Sequence, residues 1–242
     1  SDVCSSDLGE FYGYIAEGYF QSEEEIKKSP RQMRELAPGD IKYKDLNDDG
    51  VIDANDQCYL GKSWFPSWSY GMGFNINYHN FDLALFFQGV SDVSIMANGG
   101  SIDTGNGDWG ASGVGIVPFT GMGLNPSNVI TKALDRWTAD NPRADAWYPR
   151  MTANATTNDN NYVNSTHWLK DGSYLRLKQA SLGYTLENKK LMDKGIEYLY
   201  FYLSGQNLLT FSKFKLWDPE LGSNGAKYPL SRMVTLGMRV SF

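Results

Sequence analysis

Two-residue alternation between apolar and small or polar side chains is the feature that most constrains this sequence. From Trp68 to Tyr78, one phase holds Trp68, Tyr70, Met72, Phe74, Ile76 and Tyr78, and the other holds Ser69, Gly71, Gly73, Asn75 and Asn77. A strand turns successive side chains to opposite faces, so this pattern predicts a strand with two unlike surfaces. The next segment sets Phe81, Leu83, Leu85 and Phe87 against Asp82, Ala84, Phe86 and Gln88, and His79-Asn80 between them suits a tight hairpin turn. From Ile196 to Phe211, Leu199, Phe201, Leu203, Leu209 and Phe211 oppose Tyr198, Tyr200, Tyr202, Ser204, Gln206 and Thr210. The final residues set Val234, Leu236, Met238, Val240 and Phe242 against Thr235, Gly237, Arg239 and Ser241. A fifth strand, around Ser173 to Leu186, changes phase. Leu175 and Leu177 are in one register and Ala180, Leu182, Tyr184 and Leu186 in the other, so a bulge is expected near Lys178-Gln179.

A soluble two-faced sheet buries its apolar rows and shows charge on the other side. Here the opposite faces carry Gly, Ser, Asn and Tyr with few charges, which suits the lumen of a barrel. The connections alternate in length as well. They are short after Tyr78 and Leu186, but long before Trp64, between Val93 and His167, and between Ser212 and Tyr228. Short turns on one side and long loops on the other are the rhythm of outer-membrane barrels. The expected fold is therefore all-β: an antiparallel transmembrane β-barrel fragment of about the last five strands, with long extracellular loops, one containing a short helix.

Composition agrees with this reading. Aromatics reach 14% and there are 25 glycines, a balance that leans towards β structure. No apolar run approaches the roughly 20 residues of a membrane helix, but a spanning strand needs only about 9–11. The net charge of −6, without a basic cluster, argues against nucleic acid. Two cysteines and two histidines are too few for a Cys/His zinc site or a disulfide scaffold.

Residues 1–8, Ser1 to Leu8, match the translation of a sequencing-library adapter and read as foreign, so the natural sequence is expected to begin near Gly9. Residues 9–63 are expected to form an extracellular loop region. Residues 64–242 are expected to form barrel, interrupted by a long extracellular loop over about 94–167. A helix is predicted from Asn125 to Thr138, with Asn125 as N-cap, Pro126 at its first position and Pro142 stopping it.

The sharpest local motif spans residues 45–56. Oxygen-bearing side chains stand at positions 1, 3, 5, 9 and 12 (Asp45, Asn47, Asp49, Asp53, Asp56), Gly50 stands at 6, and Val51 offers its carbonyl at 7. A hard cation takes 6–8 oxygens from one tight loop, so this spacing predicts a calcium loop of weak, extracellular type. Two features depart from an EF-hand: Asp56 replaces the usual Glu, and Pro38 and Gly61 leave no room for long flanking helices. The competing reading is an Asp/Asn/Gly turn that caps its own backbone.

No nucleophile, carboxylate pair or dinucleotide fingerprint stands in a recognisable context, so the chain reads as a non-enzyme. Trp109, Trp147, Tyr148 and Trp217 fall in long loops, where packing is their expected role. The alternating terminal row of Val234, Leu236, Met238, Val240 and Phe242, ending in an aromatic residue, matches the pattern read by the barrel-assembly machinery.

These pieces occur in an order that resembles the C-terminal part of SusC/RagA-type TonB-linked outer-membrane proteins. The resemblance is carried by Phe11-Tyr12-Gly13-Tyr14, by Pro38-Gly39-Asp40-Ile41-Lys42-Tyr43 leading into the calcium-type loop, and by Phe87-Gln88-Gly89. It continues through Arg136-Trp137-Thr138, Trp168-Leu169-Lys170-Asp171-Gly172-Ser173-Tyr174-Leu175-Arg176, Gly205-Gln206-Asn207-Leu208-Leu209-Thr210-Phe211 and Trp217-Asp218-Pro219-Glu220. It covers nearly everything from Gly9 onward. The resemblance implies a 22-stranded barrel with a plug, in the Gram-negative outer membrane. It implies import of oligosaccharides or peptides, driven by the TonB complex, with a SusD-like surface lipoprotein as partner. On this reading Asn75, Asn77, Tyr198, Tyr200, Tyr202 and Arg239 belong to the polar lumen wall. Five strands cannot close so large a barrel, so this stretch is not expected to insert or transport alone. A calcium-dependent surface module and a passive porin are the alternative readings.

Overall fold

The computed structural model describes residues 9–98, 131–151, 159–223, 228 and 230–242. The adapter-like residues 1–8, Trp109 and the first half of the predicted helix, 125–130, lie outside the described residues. In chain order the elements are β1 (Glu10–Gly13), β2 (Ala16–Tyr19), α1 (Glu23–Lys28), β3 (Ile41–Tyr43), β4 (Cys58–Ser63), β5 (Trp68–Tyr78), β6 (Phe81–Ser91) and β7 (Ser94–Met96). They continue with β8 (Leu169–Asp171), β9 (Tyr174–Leu186), α2 (Lys189–Met192), β10 (Tyr198–Ser212) and β11 (Met233–Ser241).

The five alternating segments form one antiparallel sheet in the order β11-β10-β9-β6-β5, a meander in which neighbours in this set are also neighbours in space. Register sorts the side chains into rows that cross all five strands. Ile76, Leu83, Leu182, Leu203 and Leu236 stand in one row, and Asn75, Ala84, Ser181, Ser204 and Thr235 stand in the row beside it on the opposite face. A one-residue slip of any strand would put leucine among serines, so the pattern fixes the pairing. The hairpin between β5 and β6 turns on His79, at φ 52, and Asn80. The expected change of phase in β9 falls at Lys178. Gln179 pairs with Phe86 and Leu177 with the next residue, Phe87, so Lys178 is the extra residue of a bulge.

Among the described residues, the apolar face of this sheet is largely uncovered. Ile76 is 55% exposed, Leu182 46%, Leu203 47% and Leu236 79%. Among the described residues, every buried hydrophobic side chain except Tyr174 lies outside the five-stranded sheet. A water-soluble domain buries such rows; this one builds its core elsewhere.

That core is a cap at the end of the sheet where β6 and β10 finish and β5 and β9 start. Three two-stranded pairs, β1-β4, β2-β3 and β7-β8, frame it. Tyr14, Tyr19, Ile41, Tyr43, Ile95, Trp137, Tyr148, Tyr162, Trp168 and Phe214 pack inside it. An amide-rich network ties distant segments together. Gln32 donates to the Ile41 carbonyl and to Asn160 at 2.9 and 3.0 Å, and Asn161 accepts from the Ile41 N–H at 2.8 Å and donates to Asp40 at 2.8 Å. The short connections at the other end of the sheet, 79–80 and 187–197, carry no such module.

The predicted helix is corrected at its described end. Only Thr131–Leu134 turns, as a 3-10 helix, and the chain then extends. Trp137 is drawn into the core, where its N–H donates to the Tyr148 carbonyl at 2.9 Å, and Tyr148 returns a bond to Asp135 at 3.0 Å. Burial of that indole, together with pairing to the 146–148 segment, outweighs helical propensity here.

Candidate functional site

On the non-apolar face of the sheet, Asn75 and Asn77 are exposed and pair with Ala84 and Asp82. Across the sheet, Asp82, Gly183, Tyr202 and Gly237 lie in one register row. Tyr200 leans over Gly183 and donates its hydroxyl to Asp82 at 3.0 Å, spanning from β10 to β6. The Tyr200 and Tyr202 rings stack at 5.9 Å between centroids, and the Arg239 guanidinium lies 5.9 Å from the Tyr200 ring. Gly237 leaves room for the Tyr202 ring, since a Cβ there would overlap it. Sequence alternation placed Asn75, Asn77, Tyr198, Tyr200, Tyr202 and Arg239 on one face. The structure brings Tyr200, Tyr202 and Arg239 together, whereas Tyr198 pairs with Ser241.

Arg176, missed in the sequence reading as a functional residue, is 1% exposed on this same face. It is held by Asp218 at 2.5 Å and Glu220 at 3.3 Å, and Lys178 joins Glu220 at 3.5 Å. Residues 218–220 are thereby held against the sheet. The signal available in the sequence was one arginine among leucines in β9 and the acidic pair around Pro219.

The 45–56 loop adopts the sharp turn its spacing predicts, with Asp48 at φ 57 and Gly50 at φ 83. Asp45 accepts the Gly50 N–H at 2.8 Å with one oxygen, while its other oxygen, Oδ1, is buried without a hydrogen-bond partner. Asp49 accepts from Val51 at 2.9 Å and Asn47 from Asp49 at 3.1 Å. Asp56 is fully buried, accepting from the Asp53 and Leu46 N–H groups at 2.8 Å each, and these backbone donors hold its carboxyl below the usual range. Among the described residues, no three carboxylate, imidazole or thiolate side chains converge as a metal cluster. The orphaned Asp45 Oδ1 is an oxygen donor left over at this turn. The Asp53 side chain is instead engaged as a cap on Asn55, at 2.7 Å.

The loop aromatics Trp147, Tyr148 and Trp217 pack as expected. Tyr148 is buried, Trp147 stands edge-on to Tyr148 and Trp168, and Trp217 packs on Phe214 while donating to the Gly222 carbonyl at 2.8 Å. The terminal row Val234, Leu236, Met238 and Phe242 is exposed on the apolar side of β11.

A sheet with an uncovered apolar face, a small-and-polar opposite face and an ordered cap at one end has the make-up of a sector of transmembrane β-barrel wall. No protein-family model matches the chain. TonB-dependent receptor P26 of Formosa agariphila is 30% identical over 256 residues, covering 99% of this chain, and TonB-dependent receptor P3 of the same organism is 28% identical over 251 residues, covering 97%. The chain spans 23% and 22% of those two relatives. Its fold matches the RagAB peptide importer in the open-open and closed-closed states, each with a TM-score of 0.63 at 22% identity. Those matches cover 99% of this chain and 24% of theirs. Over nearly its whole length the chain is thus similar to a stretch of TonB-dependent receptor sequence, and its fold is that of the corresponding part of the RagAB importer.

Proposed function

We propose that the chain forms part of the barrel wall and outer cap of a Gram-negative outer-membrane importer, energised through the TonB complex. The single observation that carries this reading is the row Ile76, Leu83, Leu182, Leu203 and Leu236, largely uncovered on one face while serine, asparagine and glycine occupy the other. Lipid is the solvent that such a face suits. The capped end faces outside, and β11 runs away from it towards the periplasmic side. A SusD-like lipoprotein is the expected surface partner, and oligosaccharides are the expected cargo, with peptides as the other class; the relatives are receptors and an importer by name, which supports a transport role over catalysis. Uptake of fluorescent oligosaccharides should require both the protein and an intact TonB complex. Uptake that persists without TonB would favour a passive porin, and uptake indifferent to the protein would favour a surface binding module.

The buried, unpartnered Oδ1 of Asp45 favours a second reading, in which the 45–56 loop takes calcium to stiffen the cap. Affinity should be in the range of roughly 10⁻⁴–10⁻³ M typical of extracellular modules. Calorimetric titration should give saturable heat that Asp45→Asn abolishes; identical traces for the two proteins would leave a self-capped turn.

A further inference from the structure

Four cap segments border an open cavity of about 630 Å³: the turn at Thr131–Leu134, the stretch carrying Trp147, β8, and the stretch after β10. Small-ligand sites occupy roughly 300–1,000 Å³. Four ammonium groups line this one, from Lys132, Lys170, Lys213 and Lys215, against the single carboxylate of Asp171. Asp135 takes Lys132 at 2.7 Å, and Lys213 reaches Asp171 at 3.8 Å. Lys170 and Lys215 have no carboxylate partner among the described residues.

Lys170 is the unusual member. It is half-buried, donates to the His167 carbonyl at 2.6 Å, and stands 5.5 Å from the centre of the Trp147 ring. A carbonyl and a ring face offer only partial negative charge, and desolvation holds its pKa below that of an ordinary lysine. A half-buried ammonium with no counter-charge among the described residues, beside open space, in a chain of net charge −6, is arranged for an anion from outside. Trp147 adds a flat apolar surface to the same cavity.

We propose that this cavity binds an acidic sugar unit, its ring against Trp147 and its carboxylate or sulfate among Lys170, Lys213 and Lys215. An acidic peptide side chain would satisfy the lysines but leave the indole without a flat partner; the sugar satisfies both. The inference names a cargo class for the import reading and rests on that reading only for where the sugar goes next.

Calorimetry on the intact protein in detergent, with trigalacturonate, a sulfated galactose trisaccharide, neutral galactotriose and triglutamate, tests it. One or both acidic sugars should bind saturably and weaken with salt, with the neutral sugar about tenfold weaker or worse. Lys170→Gln and the exposed Lys215→Gln should each lower affinity several-fold, and Lys27→Gln on α1 should not. Because Lys215 is exposed, its variant keeps the test informative if the Lys170 variant folds poorly. Equal binding of acidic and neutral sugars, tighter binding of triglutamate, or insensitivity to both variants overturns the proposal. Acidic-sugar binding without TonB-dependent uptake would instead sink the import reading and leave this site standing.

Discussion

Arg150 grips Asp40 with two nitrogens, Nε to Oδ1 and Nη2 to Oδ2, each at 2.9 Å, across 110 residues of sequence. Asp40 is 1% exposed and also accepts from the Ala37 N–H at 2.8 Å, so its carboxylate is the hub joining the β2–β3 region to the 146–161 region. Removing one partner of such a pair leaves a buried charge uncompensated. Arg150→Met should therefore destabilise the cap by about 3 kcal/mol, read as a lower urea midpoint of the near-ultraviolet circular dichroism from its aromatic cluster. An unchanged midpoint would mean that Asn161 and the backbone donor hold Asp40 by themselves.

The two faces of the sheet should answer oppositely to one charge. Leu203→Arg places a guanidinium on the uncovered apolar row and should cost about 2–4 kcal/mol of membrane-folding stability. Ser204→Arg, one residue on, should cost far less. Heat-modifiability on gels after folding into vesicles, with the two variants side by side, separates these outcomes.

Gly237 should not tolerate a methyl group while Tyr202 lies over it. Gly237→Ala is expected to cost about 1–3 kcal/mol through overpacking, and Tyr202→Ala made in the same chain should recover part of that loss. Additive rather than compensating losses would argue that the ring does not rest there.

His167 gives the cap a pH dependence of defined sign. Burial, then the neighbouring Lys170 charge, pushes its pKa down to about 4 from 6.5. Between those values the unfolded chain takes the proton and the folded cap does not. Stability conferred by the neutral ring is therefore complete above 6.5 and declines as pH falls towards 4, by on the order of 2–3 kcal/mol at the foot of the window. Urea midpoints at pH 7.5 and 4.5 should differ in the wild-type chain and converge in His167→Gln.

The sheet was legible because a two-faced strand repeats every two residues, and that period survives even the bulge at Lys178, where Leu177 and Ala180 disagree in phase. The polar wall was half legible. Alternation puts Tyr200 and Arg239 on one face, but only register shows Tyr200 crossing Gly183 to reach Asp82. The cap was not legible. Asp40 lies more than a hundred residues before Arg150 and Asn161, and no local period announces that their amides and charges will meet. The segment ending in Thr138 misled for the same reason, since the burial of Trp137 against Tyr148 is a tertiary event.

The bulge in β9 also decides how this wall can tolerate changes of length. Arg176 must face inward and Leu177 outward, while Gln179 faces inward and Leu182 outward, and the count between them is odd where alternation demands even. Lys178 absorbs the difference. Its loss would leave every remaining side chain of β9 on its present side. Loss of Leu177 would instead send the lysine to the outer face, and loss of Ala180 would turn one half of the strand inside out. A single-residue deletion scan along β9 would trace that parity as tolerance confined to the bulge, from Leu177 to Gln179.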